Sequence, residues 1–170
     1  MGTQKAVTNS AMHSPFNSPL EVGLRSLILL VESYPNGINL ERLVAYDYLV
    51  IHTGDVCGPP SLHPALPLRT GELTVRRQSI QQGLDLMRNH GLIISIPSET
   101  GFLYVADDSS GAFISAFTSP YVAKLCERAR WLIDVFGQMQ DIELHARMRE
   151  LYQLETWRFQ PYERLMGSKK

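Results

Sequence analysis

The chain holds only two cysteines, Cys57 and Cys126, far apart and outside any CxxC pair. That spacing offers neither a disulfide framework nor a zinc motif. A basic excess is also missing: the formal net charge is -1 at pH 7. A protein that held DNA mainly by its phosphates would carry one, so the balance argues against a stand-alone DNA binder and leaves room for a local patch. Long apolar runs are absent too. The longest, LILLV at 27–31, is far too short to span a bilayer. The first 19 residues are polar and turn-rich, lack the apolar core of a signal peptide, and read as a flexible leader. Internal repeats and low-complexity tracts are not found. These absences predict a soluble, cytoplasmic protein with no membrane association.

What is present is a core-forming composition. Of 170 residues, 44% are hydrophobic, enough for one compact domain with a helical extension. Leu20, Leu24, Leu27, Ile28 and Val31 trace one face of a first helix, which YPNG at 34–37 stops. On its outer side Glu21 and Arg25 stand one turn apart and are placed to pair weakly. Asn39 is the N-cap of a second helix, with Leu40, Leu43, Val44, Tyr48 and Ile51 inward. A proline-rich loop follows over 52–71. The third helix covers about Glu72 to His90, with Leu73, Ile80, Leu84 and Met87 inward and Gly91 as its stop.

Two β-prone runs, Leu92–Ile96 and Phe102–Ala106, then flank a Pro-Ser-Glu-Thr-Gly turn and predict a β-hairpin. Three helices followed by a hairpin is the order of a winged helix-turn-helix domain. The predicted class is therefore mainly α with a small β-hairpin: a winged-helix domain over 20–107 followed by a C-terminal helical extension over 108–170. In that extension a short helix breaks at Pro120. A long helical stretch then carries Val122, Leu125, Ala129, Leu132, Phe136 and Met139 at three-four spacing, like a coiled-coil seam, and continues less cleanly toward Leu151.

Four stretches, EVGLRSLILL at 21–30, LVAYDYLVIHTGD at 43–55, SLHPALPLRTGELTVRR at 61–77 and GLDLMRNHGLI at 83–93, resemble the middle component of bacterial ABC three-component systems. These conflict systems are related to Lamassu-type phage defence. The resemblance spans about Pro19 to Arg130. It implies an adaptor that bridges an SMC/Rad50-like ABC ATPase and an effector, a nuclease or another subunit, with DNA reached through the complex. It implies no catalytic residue.

Each candidate site has a plainer alternative. His52, Asp55, Cys57 and His63 carry ligand chemistry, but the spacing H-x2-D-x-C-x5-H matches no common metal frame. A Cys-His pair offers a nucleophile and a base, yet no residue to orient the base is evident. The plainer role, pinning the loop, is preferred; no catalytic, cofactor or metal residue is predicted. On the third helix Arg76, Arg77, Gln81 and Arg88 suit base or partner contacts. Against DNA, positions 91 to 106 hold no lysine or arginine while Glu99, Asp107 and Asp108 stand in or beside the hairpin. The preferred alternative is that Arg76 and Arg77 pair with acids such as Asp47 or Glu72, or contact a protein partner. Leu125, Leu132, Phe136 and Met139 form either a partner-docking seam or internal packing. Trp157 and Phe159, in an aromatic C-terminal segment, suit partner docking or folding back.

Overall fold

In a computed structural model, residues 18–64 and 72–158 are described. Helix α1 (Pro19–Ser33) opens with a capping box: the Ser18 side chain accepts from the Glu21 amide, and the Glu21 carboxylate accepts from the Ser18 amide. A two-residue strand β1 (Ile38–Asn39) precedes α2 (Leu40–Ile51), and the Asn39 side chain accepts from the Arg42 amide at 2.8 Å as the predicted cap. A 3-10 turn (Thr53–Val56) starts the proline-rich loop. Helix α3 (Glu72–Asn89) buries Ile80, Leu84 and Met87 as expected, while the Leu73 side chain lies outside the described residues. The helix ends at Gly91, whose φ of +71° suits glycine. Its last turn is closed by Gly91 N–H to Arg88 C=O and Leu92 N–H to Met87 C=O, the paired bonds of a Schellman end.

Strands β2 (Ile93–Ser98) and β3 (Gly101–Ala106) form the hairpin. All pairing is antiparallel and the order is β1-β3-β2, so the molecule is mainly helical with a small three-stranded sheet. Strand β1 is an addition to the expected hairpin. Two residues carry no periodicity, and the partner, Tyr104 opposite Ile38, lies far along the chain. Helices α4 (Ser110–Ser115), α5 (Pro120–Phe136) and α6 (Asp141–Arg158) complete the described chain.

The single long stretch expected after Tyr121 is thus two helices. The intervening turn is held from α2: Arg42 donates to the Met139 carbonyl, and Asn39 donates to the Asp141 carboxylate at 2.8 Å.

Nine successive residues of α2, Leu43 to Ile51, are buried, because α1, α3, α5 and α6 surround it. A helix covered on every side carries apolar residues all round, with no polar stripe. Helices α1 and α3 cross at two glycines. A Cβ on Gly83 would fall 2.6 Å from the Gly23 amide nitrogen, and one on Gly23 would fall 2.8 Å from the Gly83 carbonyl oxygen. The backbones touch there, and neither position has room for a side chain. Helix α5 packs Val122, Leu125, Ala129, Leu132 and Phe136 into the same hydrophobic core as α1 and α2. The C-terminal helices therefore share one core with the rest of the chain.

Candidate functional site

Charge inside an apolar helix needs a partner, because burying an unpaired ion costs several kcal/mol. Arg25 on α1 and Asp47 on α2 are such residues, 3% and 1% exposed. Arg25 Nε donates to Asp47 Oδ1 at 2.7 Å and its Nη2 to Oδ2 at 3.3 Å, a two-pronged contact. From α3, Arg76 Nη1 donates to the same Oδ2 at 2.6 Å. One carboxylate thus ties three helices together. This corrects the surface pairing expected for Arg25. Glu21 is occupied by the capping box, and Arg25 turns inward to an acid that sequence spacing alone could not pair with it.

The electrostatics follow from that geometry. Burial pushes the Asp47 carboxyl up, but the two guanidiniums and their hydrogen bonds outweigh it and hold the group below the usual carboxylate range. For Arg25, burial disfavours the charge, and the Asp47 carboxylate more than restores it. A carboxylate with both oxygens taken by two guanidiniums is an anchor between helices.

Around the network stands a ring of aromatics. The Arg76 guanidinium lies over the Tyr48 ring at 5.7 Å, and Tyr48 packs against His52 and Tyr152. The Tyr48 hydroxyl donates to Asp55 at 2.7 Å, while a ring nitrogen of His63 lies 2.9 Å from the Tyr121 hydroxyl. Burial, first, lowers His52 to about 4 and also pulls His63 down. Burial likewise raises Tyr121, and raises Tyr152 to about 12.

The loop itself is pinned to the body. The Thr53 hydroxyl donates to the Pro59 carbonyl at 2.7 Å, and the amides of Leu62 and His63 donate to the Ile51 carbonyl. Arg128 of α5 donates to the Pro60 carbonyl at 3.1 Å, and Gly58 lies so close to the Trp131 ring that a side chain there would collide with it.

The His52 and His63 rings meet edge-on with centroids 6.4 Å apart, but His52, Asp55, Cys57 and His63 do not gather as one ligand set. His52 is inside, Asp55 serves Tyr48, His63 serves Tyr121, and Cys57 is exposed with a left-handed backbone at φ 59°. Among the described residues no three His, Cys, Asp or Glu side chains are grouped to hold a metal.

The expected contact residues of α3 separate in the same way. Arg76 is committed to Asp47, and Gln81 is half-buried beside the Tyr104 hydroxyl at 3.4 Å. Arg77 and Arg88 are exposed and paired with Glu41 at 2.8 Å and Asp85 at 3.0 Å. Arg77 also stands at a largely apolar hollow of 420 Å³ between α2, α3 and α6, lined by Val44, Met148 and Tyr152 among others.

Of the expected docking residues, Leu125, Leu132 and Phe136 are fully buried in the chain's own core and Met139 packs against it. Of the two alternatives for this seam, these residues show internal packing, against α1 and α2. The Trp157 side chain and Phe159 lie outside the described residues. Sequence reasoning passed over Arg25 as a buried group, and over Tyr121 and Tyr152 as its aromatic surround. The signal was a lone charge inside an apolar run, LRSLILL for Arg25 and YDYLVI for Asp47.

Fold and site together define a small helical protein whose internal charges lock helices and whose described residues assemble no metal cluster. The family model for the ABC-three component (ABC-3C) system Middle Component 2 matches residues 15–157, and the chain belongs to that family. It is accordingly one component of a multi-component system, with partner subunits implied. No curated protein and no solved structure matches the chain. Among the described residues no helix is long and apolar enough to cross a membrane.

Proposed function

We propose that the chain is a non-catalytic adaptor subunit. In this reading it links an SMC/Rad50-like ABC ATPase to an effector in a Lamassu-like anti-phage complex of the bacterial cytoplasm. The observation that carries the proposal is membership of a middle-component family over most of the chain. A winged-helix assignment is supported by the order α1–β1–α2–α3–β2–β3 and by β3 lying between β1 and β2.

Geometry favours a protein-binding over a DNA-binding use of that domain. The helix that would enter a major groove spends Arg76 on a buried aspartate and packs Gln81 beside the sheet. Its hairpin has no cation for phosphates.

The test is co-expression with the other components of the system, one subunit tagged, followed by size-exclusion chromatography with mass determination. Co-elution with the ATPase and the effector is the expected result. Elution of the chain alone, together with a salt-sensitive shift on duplex DNA lost in Arg77→Ala, would favour a winged-helix regulator instead.

A further inference from the structure

A solvent-facing side of an antiparallel sheet ordinarily alternates to polar residues. Here it does not. Ile93, Tyr104 and Ala106 point into the core, and the opposite side of the hairpin carries Ile94, Ile96, Leu103 and Val105. The register sets them in two directly opposed pairs, Ile94 with Val105 and Ile96 with Leu103, so they form one continuous aliphatic face. Ile94 and Ile96 are 48% and 47% exposed. Leu103 and Val105 are half-buried and are bordered by Gly37, in the connection between α1 and β1, whose missing side chain keeps that margin of the face uncrowded.

The charge carried by the hairpin and the residues that directly follow it has one sign. Between Arg88 and Lys124 there is no lysine or arginine, while Glu99 sits in the hairpin turn and Asp107 and Asp108 directly follow β3. Nucleic acid and anionic lipid are disfavoured by that border. Two copies of the face meeting each other would bring like charges together. The edge formed by β2 is also poorly suited to strand addition, because Pro97 in it has no N–H to donate, and the other edge, β1, is two residues long.

We propose that the outer face of the β2–β3 hairpin is the docking surface for a sister subunit of the same system, and that the subunit presents an aliphatic patch bordered by lysine or arginine. The proposal rests on the assembly reading above. An aliphatic centre with a charged border is the ordinary anatomy of a protein–protein contact.

The experiment measures binding of the purified full-length chain to each other purified component, by sedimentation and calorimetry, with Ile94→Thr/Ile96→Thr and Glu99→Lys beside wild type. Threonine keeps the β-branched shape, and both isoleucines are half exposed, so the variant should melt as wild type does. The expected result is that one component binds, that the double variant weakens it by at least about ten-fold, and that Glu99→Lys weakens it further as salt is lowered. Equal binding by wild type and variants overturns the assignment of the face and leaves the assembly reading standing. A homodimer of wild type that the double variant dissolves overturns the sister subunit as occupant. Failure of wild type to bind any component overturns both readings. If the double variant melts early, Glu99→Lys alone decides, since it lies in the exposed turn.

Discussion

The core around Asp47 and the outer face of the hairpin invert the usual placement of polarity. Inside, Arg25, Asp47 and Arg76 bring three formal charges into the middle of a helical core. Outside, Ile94 and Ile96 are left to water. The difference lies in completeness. Both oxygens of Asp47 are taken, so the charged cluster is closed and is structural. On the aliphatic face Ile94 and Ile96 remain about half exposed among the described residues, so that part of it is open. Burial of charge in this molecule reports how it holds together, and the exposed aliphatic face is the surface proposed above to meet a sister subunit.

The largest effect should come from breaking the closed region. Asp47→Asn removes the one anion between two guanidiniums and leaves both uncompensated, which costs about 3–5 kcal/mol. Urea unfolding of the purified variant should show most of that loss, with a lowered midpoint. Next comes the helix crossing that presses Arg25 and Arg76 toward the same acid. Gly83→Ala puts a methyl group against the Gly23 backbone, where no side chain can move aside, and should cost about 1–3 kcal/mol by the same assay.

A smaller effect depends on pH. His52 is held near 4 in the folded chain against an ordinary value of 6.5, chiefly by burial. The unfolded chain takes up this proton first, so stability falls as pH drops through 6.5 and levels off below about 4. His63 acts in the same direction. Asp47, held low, loses its contribution only further down, as pH falls below the ordinary carboxylate range. Thermal melting across this window should decline, and His52→Gln should flatten the decline.

The smallest effect sharpens the other side of the comparison. In the isolated chain each of Ile94→Thr and Ile96→Thr should change stability by no more than about 0.5 kcal/mol, since neither side chain serves the core. A large loss would mean that the face is part of the fold and not an open surface.

Much of the fold was legible where the cause is local. Asn39 was recognisable as a cap because an amide side chain before an apolar run accepts from the helix start. Gly91 was recognisable because a helix end needs a left-handed residue there. The lack of hairpin cations was also visible directly. What stayed hidden depends on distant partners. The i,i+4 spacing placed Arg25 beside Glu21, and nothing near it in sequence points to Asp47, 22 positions away. Gly23 and Gly83 each read as an ordinary glycine in a helix until the two backbones are seen to touch. The α5 seam had the right period for either a partner or the core, and only the placement of α1 and α2 decides between them. In the candidate site, ligand-type residues clustered in sequence at 52–63, yet beyond the edge-on contact of His52 with His63 they take different hydrogen-bond partners in space. Asp55 turned to Tyr48 and His63 to Tyr121, while His52 went inside and Cys57 stayed out.

The most direct measurement is hydrogen exchange of the full chain, free and in complex with the other components of its system. The account predicts that amides of 93–106 gain protection on assembly, while those of α2 around Asp47 are strongly protected in both states. Unchanged exchange over the hairpin, with new protection confined to the exposed side of α3, would contradict it.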